Sequence, residues 1–438
     1  MEKKLVVLVL AGGTGRRFWP ITADKLLLPV CGTPFIAHTV TRALPPTTSK
    51  IVIVANPANR SDLSSLNFPV PPVIVTQKQS LGIADAVLAA ADELAGHRLL
   101  ILFADVLVDQ TLYGHVVRKA QTDNVFGVIA SWTPPTYYPG GYLTSKGGRL
   151  TGITEKPGEG NEPGDQINIS GHYIADADEL VQTLRSTVSD RDDRYEKALT
   201  TLMSRYEFVA LPFEGPVNSL KYPWHVLDCT AQILEGITAQ RGKNVTIGNN
   251  VHIEGVVRIG HNVRIHENTK IIGPTYIGDG TIVGSQNIIR NSHIGDNCVT
   301  GFNTDITRSY IGDDCWFHSN YIGDSVLEGG VTMGAGAVLA NVRLDDGEII
   351  SNVADVRVAT KRSKFGAVIG RSCRIGVNSS IMPGVKIGAR SFIGAGVVLT
   401  RDIGEDSFVT IRQTVTVTKN RKTVKAGSRN EFRRKLTS

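Results

Sequence analysis

From residue 247 onward the chain counts in sixes. Ile247, Ile253, Ile259, Ile265, Ile271, Ile277, Val283 and Ile289 follow one another at that interval without a miss, and Gly follows directly at 248, 260, 278 and 284. After a one-residue slip the pattern returns less strictly at Ile294, Ile311 and Ile322, each followed by Gly, and is strict again from Ile369 through Ile375, Ile381, Ile387, Ile393 and Leu399. A six-residue period with one aliphatic anchor describes a short strand plus a turn. The aliphatic side chain points inward, stacked coils bury a continuous core, and Gly or Asn at the corners adopts backbone angles that other residues resist.

The pattern resembles the hexapeptide-repeat acyltransferases, and that resemblance implies a left-handed parallel β-helix. The first half has a different texture. Short apolar runs at residues 5–10, 50–55, 73–76, 99–103 and 125–131 alternate with helical stretches at 34–43 and 83–95. Such alternation predicts a mostly parallel, Rossmann-like α/β sheet, whose ligands bind beyond the C-terminal ends of its strands. The reading is therefore α/β in residues 1–226, a linker helix over 227–241, a β-helix over 242–410 and a basic tail over 411–438.

The net charge of +6 belongs to the tail: residues 419–438 hold eight Lys/Arg and one acid, so the other 418 residues sum to about −1. This argues against a broad nucleic-acid-binding face and for a solvated end or a segment that meets phosphates. The five Cys (31, 229, 298, 315 and 373) include no Cys-x-x-Cys pair, so neither a disulfide framework nor a zinc site is expected. The longest early apolar run is too short to span a membrane and lacks a signal-peptide pattern; a cytoplasmic location is the expectation.

Directly after the first apolar run comes Ala11-Gly12-Gly13-Thr14-Gly15-Arg16-Arg17. Closely spaced Gly lets backbone N–H groups converge on phosphate oxygens, and Arg neutralises their charge. The loop is neither a Walker A motif nor Gly-x-Gly-x-x-Gly. It continues into Phe18-Trp19-Pro20-Ile21-Thr22, Lys25-Leu26-Leu27-Leu28-Pro29-Val30 and Gly32-Thr33-Pro34. This ordered series resembles the sugar-1-phosphate nucleotidylyltransferases. The resemblance implies that Gly12, Gly13, Gly15 and Arg16 wrap an NTP triphosphate, with Arg16 and Lys25 as catalytic cations.

Gln77 through Gly82 resembles the family's base-reading segment, with Gln77 and Gly82 at the nucleotide. A Gln amide suits a pyrimidine edge, and Ile83 after the Gly leaves UTP and dTTP both open. Glu155-Lys156-Pro157, Asn168-x-x-Gly171 and Gly141 resemble the sugar-phosphate segments, so Gly141, Glu155, Lys156 and Asn168 are expected at the sugar 1-phosphate. Asp105, in Phe103-Ala104-Asp105 where relatives have Gly-Asp, would hold Mg²⁺ through carboxylate oxygen. The second ligand is expected near Trp224, where relatives often place an Asp; here His225 follows and Asp228 is the nearest acid. Either could serve, or the site could be weakened.

Two readings compete for the second half. His318-Ser319-Asn320-Tyr321 and Met333 to Asn341 resemble the acetyltransferase half of bifunctional enzymes making UDP-N-acetylhexosamine, archaeal forms included. His318 would be the base that deprotonates the amine. Tyr321, Asn341 and Lys364 would meet the amino sugar, and Ala335, Ala395 and Arg412 would line the acetyl-CoA groove. Against this, His252, His261, His266 and His293 also sit in repeats, and no Lys follows Asn341 closely. The competing reading is a trimerising scaffold beside a monofunctional nucleotidylyltransferase; the resemblance implies a homotrimer or a dimer of trimers. A non-catalytic regulatory subunit is disfavoured by the intact series from Gly12 to Lys25.

Overall fold

The strand Leu5–Ala11 is apolar along its whole length because both of its faces are covered. It lies between Thr48–Ala55 and Arg98–Phe103, parallel to both, with Leu10 opposite Val54 and Phe103. Val73–Thr76 extends the parallel edge. The computed structural model describes residues 3–40, 44–109, 111–354 and 356–437. The expected helix over 34–43 is Phe35–Val40, its last three positions lying outside the described residues, and that over 83–95 divides at Ala90 into Ile83–Ala89 and Ala91–Leu94.

Half of the sheet is not parallel. Ile167–Ile174 runs antiparallel to Arg98–Phe103 and to Gly127–Trp132. It leads to the antiparallel pair Gly141–Lys146 and Arg149–Glu155, and Phe208–Pro212 flanks Gly127–Trp132. The strand Arg149–Glu155 holds no apolar run, because exposed Thr151 and half-buried Gly152 separate buried Leu150 from buried Ile153. Those pairs carry Gly141, Glu155 and Asn168.

In the second half, strands of two or three residues stack in register into three parallel ladders. Ile247 pairs with Ile265 and Ile265 with Val283, 18 residues apart, so three hexapeptides make one coil. The slip read from the sequence is a shortening of the coil: Ile294 to Ile311 is 17 residues and Ile311 to Leu327 is 16. Asn244, Asn250, Asn262, Asn268 and Asn297 turn corners in the left-handed region, with φ between 55° and 59°, which Asn tolerates. The core is a column of aliphatic anchors around Phe317, which is fully buried. Phe317→Ala is expected to cost about 3–5 kcal/mol, read as a lowered denaturant midpoint with an unchanged m-value; a midpoint equal to wild type would refute the stacked-core account.

One coil departs from the rule. Leu327 pairs with Ile369, 42 residues on, because the chain leaves the stack after Asn341 and returns at Phe365. The excursion contains a hairpin, Ile350–Val353 with Val356–Ala359. Its Ile349 and Val353, together with Tyr276, Tyr310, Phe365 and Val368 of the β-helix, belong to the same apolar core as Val7, Val9, Ile51 and Ile53 of the sheet. The β-helix is therefore docked on one side of the sheet. The helix between the halves spans His225–Glu235, and the first β-helix strand is Gln240–Arg241. It is packed into that shared core through Val226, Leu227, Cys229, Ile233 and Leu234. All five Cys are buried, and no disulfide joins any two of them among the described residues. Beyond Val409 the chain has no regular structure until the helix Asn430–Thr437, and residues 410–436 are exposed. No helix among the described residues is long and apolar enough to cross a membrane.

Candidate active sites

A cleft of about 760 Å³ opens beyond the C-terminal ends of the parallel strands. The loop Gly12 to Arg17 forms one wall; Lys25 and Asp105 form the floor; Glu155 and Lys156 approach from the antiparallel side. Gly15 has φ 62° and leads into the short helical turn Arg16–Phe18. A side chain at Gly12 would strike the Gln77 amide, its Cβ 2.6 Å from Oε1, whereas Gly13 faces open space. Gln77 is buried, and its Nε2 donates to the Gly82 carbonyl at 3.2 Å. Gly82 has φ +111°, and a Cβ there would fall 2.3 Å from the Asp192 carboxylate. The glycines thus let the phosphate loop, the Gln77 segment and the Asp192 loop crowd together.

Lys25 Nζ donates to Asp105 Oδ2 at 2.5 Å and to the Leu220 carbonyl at 2.8 Å. Lys156 Nζ pairs with Glu155 Oε1 at 2.6 Å. Glu155 stands opposite Gly141 in its strand pair, and Asn168 packs on Gly141 so closely that a Cβ would lie 2.7 Å from its Oδ1. The four residues expected at the sugar phosphate are therefore neighbours, although they come from three strands.

For a metal, Asp105 offers a carboxylate one-third exposed to the cleft. Among the described residues no three His, Cys, Asp or Glu side chains converge as a ligand cage. That suits Mg²⁺, which takes one or two carboxylates and completes its shell with phosphate oxygens and water. Neither His225 nor Asp228 lines the cleft. Asp228 is ion-paired with Arg362 of the β-helix excursion. His225 Nδ1–H donates to the Ser219 carbonyl at 2.8 Å, and burial holds its pKa down at about 4, so the ring is neutral at pH 7.

Two cleft residues escaped the sequence reading. Lys221 reaches the cleft because Asn218–Ser219 pairs with Val106–Leu107 just beyond Asp105. Burial, then repulsion by Arg17 and Lys156, holds its pKa down at about 8. Glu196 is pushed up to about 8 by burial and by Glu155. It lies among Tyr195, Ala198 and Leu199, where a charged residue reads as a solvated face. A bound triphosphate raises the pKa of a nearby ammonium. Binding of an NTP at pH 8 is thus expected to take up on the order of half a proton through Lys221, seen as calorimetric heats that depend on buffer ionisation enthalpy. Buffer-independent heats would sink this expectation.

On the β-helix, Phe317, Met333, Ile375, Ile393 and Val409 pair in sequence. His318, Ala335, Ala395 and Arg412 follow them around a single corner, and all four are exposed. Tyr321 Oη donates to Asn341 Oδ1 at 3.3 Å, and Asn341 Nδ2 donates to the buried Asp324 carboxylate at 2.5 Å. Arg308, also missed, holds Asp324 from the other side with two bonds of 2.7 and 2.8 Å. The missing Lys after Asn341 has a spatial answer. Phe365 N–H donates to the Asn341 carbonyl, and Lys364 bridges Val342, so Lys364 stands beside Asn341 across the excursion.

Fold and cleft together define a nucleotidyl transferase domain carried on a hexapeptide-repeat β-helix. Residues 6–216 match the family described as Nucleotidyl transferase, and residues 366–401 match Bacterial transferase hexapeptide (six repeats). The chain is similar to the Bifunctional protein GlmU of Methanococcus vannielii, 29% identical over 429 residues, covering 92% of this chain and 96% of that protein. It is also similar to the Bifunctional sugar-1-phosphate nucleotidylyltransferase/acetyltransferase of Sulfurisphaera tokodaii, 28% identical over 415 residues, covering 91% and 98%. The similarity runs over nearly the full length of both relatives.

Proposed function

We propose that the protein transfers a nucleotidyl group from UTP or dTTP to a sugar 1-phosphate, glucose-1-phosphate or N-acetylglucosamine-1-phosphate, releasing pyrophosphate. The observation that carries this reading is the single cleft in which the phosphate loop, the Lys25–Asp105 pair and the Glu155–Lys156 pair face one another. A sugar-phosphate oxygen attacks the α-phosphorus and pyrophosphate leaves. Both reactants are anions, so catalysis is positioning and charge neutralisation. The loop amides of Gly12, Gly13 and Gly15 and the Arg16 guanidinium hold the triphosphate. Lys25 neutralises charge at the transferring phosphate, and Lys156 holds the sugar phosphate while Glu155 and Asn168 accept from or donate to its hydroxyls. Asp105 would hold Mg²⁺, and the ion bound there would neutralise phosphate charge.

The β-helix is read as an acetyltransferase acting on an amino-sugar 1-phosphate with acetyl-CoA. His318 takes the amine proton during attack on the thioester, Tyr321, Asn341 and Lys364 hold the acceptor, and acetyl-CoA lies along the corner of Ala335, Ala395 and Arg412. The supporting observation is that Tyr321, Asn341 and Lys364 adjoin despite the excursion between them. A homotrimer would cover the exposed aromatic stripe of Trp316, Phe392 and Phe408. The test is a substrate panel of UTP or dTTP with glucose-, N-acetylglucosamine- or galactosamine-1-phosphate and Mg²⁺, following pyrophosphate, beside thiol release from acetyl-CoA with glucosamine-1-phosphate. No pyrophosphate from any pair overturns the first activity; no thiol from any hexosamine phosphate leaves the β-helix a scaffold.

A further inference from the structure

The segment that carries Lys25 is held from the wrong domain. Thr22 and Ala23 stand just before Lys25, and their backbone N–H groups both donate to one oxygen of Glu328, at 2.9 and 2.8 Å; the Thr22 hydroxyl donates to the same oxygen at 2.7 Å. Glu328 belongs to the β-helix, following the strand Val326–Leu327, and its side chain is fully buried. Its other oxygen accepts the Arg371 N–H at 2.8 Å, and the Arg371 guanidinium lies 4.0 Å away. Four donors surround a buried carboxylate, and three of them are the Lys25 segment.

Neighbouring contacts show that the β-helix grips this stretch along its length. Lys386 Nζ lies 4.8 Å over the Trp19 ring. Gly370 passes so near that a Cβ would sit 2.8 Å from the Pro20 carbonyl oxygen. Tyr310 Oη donates to the Pro29 carbonyl at 3.0 Å. Of these β-helix contacts among the described residues, those of Glu328 are the hydrogen bonds to the backbone between the glycine loop and Lys25. Hydrogen bonds to a charged acceptor are short and strong, and a buried N–H left without its acceptor is costly. Without that carboxylate, Thr22 and Ala23 lose their acceptor and Lys25 Nζ loses its fixed approach to Asp105.

We propose that Glu328 is a positioning residue for nucleotidyl transfer: the β-helix carboxylate fixes the Thr22–Ala23 backbone and through it sets Lys25 in the cleft of the other domain. The inference rests on the nucleotidyl-transfer reading of that cleft. A misplacement on the scale of 1 Å lowers the rate of an oriented reaction about a hundredfold, so the effect belongs in kcat.

The test compares the full-length protein with Glu328→Ala, Glu328→Asp, Glu328→Gln and Tyr310→Phe. Pyrophosphate formation is measured against NTP concentration, and thiol release from acetyl-CoA is measured on the same samples. Asp keeps the charge but withdraws the acceptor; Gln keeps the reach but loses the charge. Positioning predicts that kcat falls about tenfold to a hundredfold in Ala and Asp, that Gln recovers most of it, and that KM for NTP is little changed. Tyr310→Phe, which removes a different contact between the halves, should leave kcat near wild type. If Glu328→Ala does not fold, the order of Gln above Asp still decides. The proposal is overturned if Asp equals or exceeds Gln, if both match wild type, or if thiol release falls in parallel with pyrophosphate formation. Absence of pyrophosphate in wild type is a separate outcome and overturns the reading of the cleft itself.

Discussion

Lys25→Met is expected to slow pyrophosphate formation by about 10²–10³-fold, the usual cost of removing one preorganised group that stabilises transition-state charge. Lys25 is anchored at two points, to Asp105 at 2.5 Å and to the Leu220 carbonyl at 2.8 Å. A group so held needs little reorganisation when charge develops on the phosphate, which is why its contribution falls in kcat. Methionine retains the apolar stem, so the change isolates the ammonium. Thiol release from acetyl-CoA should stay near wild type, because the β-helix corner shares no bonding partner with Lys25. Rapid-quench or coupled pyrophosphate assays measure the loss; a variant within a few-fold of wild type would remove Lys25 from the mechanism.

The second large effect is expected at His318. His318→Ala should lower thiol release by about 10²–10⁴-fold, the range of a positioned general base, and leave pyrophosphate formation intact. His318 stands exposed at the corner that carries Ala335 and Ala395, with its ring 6.3 Å from Trp316. The other repeat histidines do not share that setting. His293 is buried, and burial holds its pKa down at about 3, so it stays neutral inside the interface between the halves. His252 and His261 lie in the first coils away from this corner, and His266 lies on the same corner three coils earlier, away from Ala335 and Ala395. His261→Ala is therefore the matched control, and equal losses in the two variants would assign neither of them the base.

Much of the nucleotide cleft could be read directly because its chemistry is local. Gly12, Gly13, Gly15 and Arg16 fall within five residues, and a turn that gathers amides onto a phosphate needs small residues close together in the chain. Gln77 and Gly82 are five apart, and Glu155 and Lys156 adjoin. What escaped was long-range. Lys221 enters only because Ser219 pairs with Val106, and Glu196 is buried only because its helix packs on the strand of Glu155. The metal question turned on the same distinction: Asp228 reads as a free acid near Trp224, but Arg362, more than a hundred residues later, is paired with it.

The hexapeptide period by itself determined that the second half would be a stack of coils, because one inward aliphatic per six residues can be buried in no cheaper way than on the next coil. The chain likewise announced a glycine-rich loop after its first strand, since glycine spacing is a backbone property and needs no partner. The tertiary structure alone decided that the stack would lie against the sheet instead of standing apart on a linker. It alone brought Lys364 beside Asn341 and Glu328 beneath Thr22 and Ala23. The Glu328 contacts join a side chain to amides about three hundred residues away, and nothing in the order of residues records which distant donor a buried carboxylate will meet.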